Sequence, residues 1–114
     1  LCFQQHKGTS HRAARKGMDY IDRHAKISYN GGPCNLYEHY YVSQAAINQG
    51  GKSWLDYNDK FRDTLLSGQQ GDGHFRSPPN PGPGNKNDPV YHTALATLML
   101  EVYYRFLPGT GFGL

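Results

Sequence analysis

Two carboxylate pairs and six histidines are the side chains through which this chain of 114 residues could move a proton or hold a metal ion. The pairs are Asp19-Tyr20-Ile21-Asp22 and Asp56-Tyr57-Asn58-Asp59. Both fall in predicted helices, where carboxylates normally face water and neighbouring Lys or Arg. His6, His11, His24 and His74 are scattered without metal-ligand spacing and read as surface residues, whereas His39 and His92 sit just inside two predicted helix starts. Tyrosine is unusually frequent, with 9 copies against 5 Phe and 1 Trp. Its apolar body and polar tip suit half-wet cavity walls as well as cores. The chain has no nucleophile elbow, phosphate loop, CxxC pair or nucleotide fingerprint.

The elements that must position these groups are helical. Residues 1–8 look like a helix end or an arm closed by Gly8. Ser10 is the expected N-cap of a helix over 11–26, on which Ala14, Gly17, Met18, Ile21 and Ala25 recur at helical spacing. Tyr29-Asn30-Gly31-Gly32-Pro33 breaks the chain, and Asn35 caps a second helix over 36–49, with Glu38 completing a capping box. After Gly50-Gly51, Trp54, Tyr57, Phe61 and Leu65 share one face of a third helix over 54–68, started by Ser53 and open to a break at Asn58. A Gly-, Pro- and Asn-rich loop fills 70–89, long enough to be functional or partly disordered. Asp88 and Pro89 then start a fourth helix over 90–106, apolar nearly all round and so expected to be buried on most sides. Pro108 and Gly109 stop it, leaving a loose tail over 109–114. The second and fourth helices are similar enough to suggest a repeat of about 53 residues, and nothing reads as a strand.

Composition bounds the class. With 37% apolar and 18% charged residues this is one globular, all-α domain, loop-rich through 14 Gly and 7 Pro. The net charge of +3 is uneven: residues 1–26 carry six Lys or Arg against two Asp. Those cations lie around much of the first helix with no stacking aromatics between them, so a solvated outer face is expected rather than a nucleic-acid surface. No apolar run approaches the roughly 20 residues that span a bilayer. Cys2 and Cys34 flank opposite ends of a helix and are expected to be free thiols, which leaves the redox compartment and the localisation open.

Three segments carry a family resemblance: Tyr40-Tyr41-Val42-Ser43-Gln44-Ala45, Leu65-Leu66-Ser67-Gly68-Gln69-Gln70-Gly71-Asp72-Gly73-His74-Phe75, and Val90-Tyr91-His92-Thr93-Ala94-Leu95-Ala96. Together they resemble the helical repeats of the prenyltransferase and squalene-cyclase superfamily, closest to the bacterial, uncharacterised prenyltransferase and squalene-oxidase repeat proteins. The resemblance covers roughly residues 15–108. It implies a partial α/α toroid of antiparallel hairpins, with 36–49 and 90–106 as inner helices and 11–26 and 54–68 as outer ones. Gln69, Gly73 and Phe75 match the family's glutamine–tryptophan signature, with Phe75 in place of Trp. There the Gln ties loop backbone to neighbouring helix ends and the aromatic covers the joint.

Parallel inner helices, as the resemblance implies, bring Tyr37, Tyr41, Tyr91 and His92 to one end as a ligand-binding mouth. The Asp-x-Asp-Asp acid of the cyclases is absent. The zinc triad of the protein prenyltransferases is incomplete: His92 matches its histidine and Glu38 its aspartate, but Tyr40 stands where a thiolate belongs and only His39 could substitute. No cofactor is therefore expected, with zinc at Glu38, His39 and His92 the one metal site the resemblance offers. The implied function is a non-catalytic, terpenoid-cyclase-like module for binding or assembly. The alternatives are a partial isoprenoid-handling enzyme and a lipid or peptide carrier using the Tyr-lined mouth. About two hairpins of a ring imply a segment of a larger toroid, which self-associates or pairs with a missing segment and takes an isoprenoid or other apolar ligand.

Overall fold

Every regular element in the computed structural model, which describes residues 1–85 and 87–104, is a helix. They are α1 (Cys2–Lys7), α2 (Arg12–His24), α3 (Leu36–Gln49), α4 (Gly51–Ser67) and α5 (Pro89–Leu100), followed by a 3₁₀ turn over Glu101–Tyr104. Among the described residues the only strand-like pairing is an isolated bridge between Gln69 and Phe75. None of the described helices is long and apolar enough to cross a membrane. The expected tail over 109–114 lies outside the described residues.

Helix starts follow local side-chain chemistry. Asn35 Oδ1 accepts from the Glu38 amide at 3.1 Å, and Asp88 Oδ1 accepts from the Val90 amide at 2.9 Å ahead of Pro89. Two starts depart from the sequence reading. The cap of α2 is His11, whose Nδ1 accepts from the Ala13 amide at 3.2 Å, and not Ser10. Helix α4 begins at Gly51 rather than Trp54, because Gly50 (φ 68°) and Gly51 (φ 53°) both take the left-handed backbone and complete the reversal out of α3 within two residues. Asn58 does not break α4; its side chain accepts from the Tyr103 hydroxyl instead.

Helix α3 is the hub, packed against α1, α2, α4, α5 and the 3₁₀ turn. Its N-terminus lies beside that of α5, and its C-terminus and the 3₁₀ turn both come to the start of α4, where Tyr103 meets Trp54 at 5.7 Å, so α3 and α5 run parallel. The core joins Leu36, Phe61, Leu65, Met99 and Val102, all at most 1% exposed. Trp54, Tyr57, Phe61 and Tyr103 stack through it with centroids 4.8–6.1 Å apart. Helix α1 docks through one polar side chain: buried Gln4 donates from Nε2 to the Ala45 carbonyl at 2.9 Å and to Gln49 Oε1 at 3.0 Å.

Helix α5 corrects an expectation. It is shorter than 90–106, and its apolar sequence is not buried on most sides: Val90 is 78% and Leu98 37% exposed, with Ala94 exposed between them. A helix apolar all round can be covered only where neighbours exist, and α5 has its main neighbour, α3, on one side.

Candidate functional site

The N-terminal ends of α3 and α5 are joined by one loop residue. Asn85 donates from Nδ2 to the capping Oδ1 of Asn35 at 3.2 Å and accepts at Oδ1 from the Tyr91 hydroxyl at 2.8 Å. Other described residues of the long loop also lie against this end. The Cys34 amide donates to the Asn80 carbonyl at 2.9 Å, and the Asn80 amide group donates to the Gly31 carbonyl. At Gly82 (φ 91°) a Cβ would come within 2.6 Å of the Asn35 side chain, so only Gly permits the loop to lie against the cap.

The anticipated mouth residues divide into two sets. Tyr37 (52% exposed) and Tyr41 (44% exposed) form an open ledge one turn apart on α3, edge to face at 5.5 Å. The hydrogen bond with Tyr37 raises the pKa of the Tyr41 hydroxyl. Tyr91 and His92 instead turn into the fold: Tyr91 is half-buried on Asn85, and His92 is inaccessible. His92 Nδ1 lies 3.0 Å from the Asp88 carbonyl, to which it donates, and 3.1 Å from Ser77 Oγ. Its Nε2 is buried without a hydrogen-bond partner. Desolvation lowers the His92 pKa and keeps the ring neutral.

His39 is equally buried and fully engaged. Its Nε2 donates to the Lys26 carbonyl at 2.8 Å, so its Nδ1 accepts from the Tyr57 hydroxyl at 2.7 Å. Burial lowers the His39 pKa and raises that of Tyr57. Glu38 is exposed beside it. Among the described residues no three His, Cys, Asp or Glu side chains come together as a metal site.

The signature segment builds a tight hairpin. Gln69 donates from Nε2 to the Gly73 carbonyl at 3.1 Å, within the loop itself. The joint to the neighbouring helix is made by Thr93 of α5, whose Oγ1 accepts from the Phe75 amide at 2.9 Å and donates back to the Phe75 carbonyl at 3.3 Å. Phe75 is 3% exposed and closes the core there. The Tyr29 ring packs against Gly68, where any Cβ would fall on the ring, and the Arg76 guanidinium lies over the ring at 4.8 Å. Thr93, Tyr29, Arg76 and Asn85 were not legible as partners, since each acts on a residue far away in sequence. The one local signal was Gly68, a glycine at a helix end that need not be one for its φ of −82°.

Cys2 is exposed and Cys34 buried, and both are free, as their separation along the chain implied. Burial pushes the Cys34 thiol up to about 11, which leaves it protonated and unreactive. A mainly apolar groove of about 580 Å³ runs along the open side of α5, lined by Asp72, His74, Pro89, Val90, Thr93 and Ala94. The Asp72 carboxylate pairs with His74 at its rim, which holds that carboxyl below its ordinary range. Compared with family models, curated proteins and solved structures, the chain finds no match.

Proposed function

We propose that the chain is a prenyltransferase- and squalene-cyclase-like helical repeat unit, acting as a non-catalytic module that binds and assembles through the open side of α5. What carries this reading is the correspondence of α3 and α5 at an offset of 53 residues. Asn35 and Asp88 both cap; His39 and His92, Val42 and Leu95, Ser43 and Ala96, and Ala46 and Met99 are all buried pairs. The correspondence breaks where cover is lost: Ala45 is 2% exposed, but Leu98 at the same register is 37% exposed. With Val90 and Ala94 it makes an apolar stripe, the kind of face that one repeat presents to the next. His39 has both ring nitrogens taken up in holding the fold, and Gln69 spends its Nε2 within its own hairpin.

A second reading is favoured by the Tyr37–Tyr41 ledge, whose two exposed rings can lie along an isoprenoid or acyl chain. Native mass spectrometry across a concentration series separates the two. Assembly predicts bare dimers or larger species that grow with concentration. Carriage predicts a monomer that takes up farnesol and loses it in the Tyr37→Ser/Tyr41→Ser variant. A bare monomer at every concentration would remove the first reading.

A further inference from the structure

We infer that the groove between the start of α2, the end of α3 and the start of α4 is a binding site for a phosphate-bearing group. The groove has a volume of about 420 Å³ and is lined by Arg12, Arg15, Lys16, Met18, Asp19, Gln49 and Ser53. That size falls in the range of small-molecule sites and exceeds what a lone ion needs.

Three cations line it, and their mutual repulsion is relieved by an anion placed among them. Arg12 opens α2 at the positive end of its dipole, where a cation is disfavoured, and Arg15 and Lys16 follow one turn on along the same face. The first turn of α2 contains no acid. The ion pairs Lys52–Asp56, Arg62–Asp63 and His74–Asp72 involve none of the three. The other wall is the start of α4, which has no side-chain cap and no acid in its first turn. That leaves first-turn N–H groups and the Ser53 hydroxyl as further donors beside the groove.

The donor set selects the ligand. Two guanidinium forks and an ammonium match the several oxygens of a phosphate better than the two of a carboxylate. Asp19 is the one carboxylate in the wall, so the groove carries three positive charges against one negative, suited to a dianion. Gln49 is held in place rather than free to bind: its Nε2 donates to the Thr9 carbonyl at 3.1 Å and its Oε1 accepts from Gln4. The basic excess of residues 1–26 is thus gathered on one concave surface as well as spread over an outer face.

The same chemistry fits a free diphosphate or the phosphate of a lipid headgroup. Titration calorimetry with inorganic pyrophosphate and co-sedimentation with phosphatidylglycerol vesicles distinguish the sources. Saturable pyrophosphate binding without vesicle binding assigns the free ligand, and vesicle binding that pyrophosphate displaces assigns the headgroup. In either case the Arg15→Gln/Lys16→Gln variant should bind at least about tenfold more weakly, the loss of one or two charge-assisted hydrogen bonds. Lys26→Gln, which lies in a separate groove with Arg23 and Lys60, should bind unchanged. Circular dichroism establishes that both variants fold. Binding to neither probe, equal weakening by both variants, or tighter binding of mixed-sequence duplex DNA than of pyrophosphate would overturn the assignment.

Discussion

Phe61→Ala is expected to cost about 3–5 kcal/mol, the range for an aromatic removed from a closed core. Phe61 is 0% exposed and stands at the centre of the aromatic stack, 4.8 Å from Tyr57 and 6.1 Å from both Trp54 and Tyr103. Its neighbours cannot collapse into the gap, because Tyr57 is held by His39 and Tyr103 by Asn58. A single domain has roughly 5–15 kcal/mol of stability in all, so the variant should be marginally folded or unfolded at 37 °C. Urea unfolding followed by Trp54 fluorescence measures the change. A loss below about 1 kcal/mol, the size of an ordinary surface effect, would mean that the stack is not the core.

The second large effect is on acid stability. His39 and His92 are buried neutral, with pKa values lowered chiefly by desolvation. Above the unfolded-state pKa of about 6.5 both states hold these rings neutral, and their contribution to stability is fully present. As pH falls below that value the unfolded chain takes up protons that the folded chain refuses. Stability then declines by up to about 1.4 kcal/mol per pH unit for each ring, until the folded-state pKa is reached. The urea midpoint should therefore drop between about pH 7 and pH 5, above the range in which carboxylates titrate. The His39→Gln variant, less stable at neutral pH, should show a shallower drop. A midpoint flat across this window would show that the two rings are solvated.

Much of the helical frame was legible because it is written locally. Asn35 and Asp88 cap their helices through bonds to amides two or three residues away, so the bounds of α3 could be read directly from 36–49. The start of α4 was missed because two glycines in succession allow a helix to begin without a cap, and Ser53 offered a misleading one. The roles of the histidines were not legible for a different reason. His39 is fixed by a hydroxyl 18 residues ahead and a carbonyl 13 behind, and His92, beyond its local bond to the Asp88 carbonyl, lies against Ser77 across the loop; the distant partners are ones that spacing along a helix does not reveal. Exposure of α5 was equally hidden, since an apolar sequence states what can be covered and not whether a neighbour covers it. The basic groove falls between these cases. Its cations were visible in the sequence, but their convergence depends on how α2 sits against the α3–α4 reversal.

The exposed stripe of α5 is the centre of the account, and sedimentation equilibrium of the chain beside its Val90→Glu/Leu98→Lys variant tests it most directly. Both substitutions fall on exposed positions, so the variant should fold. The parent chain should self-associate reversibly, and the variant should lose this and run as a monomer at the same concentration. Equal association of the two, or a parent chain that stays monomeric at high concentration, would contradict it.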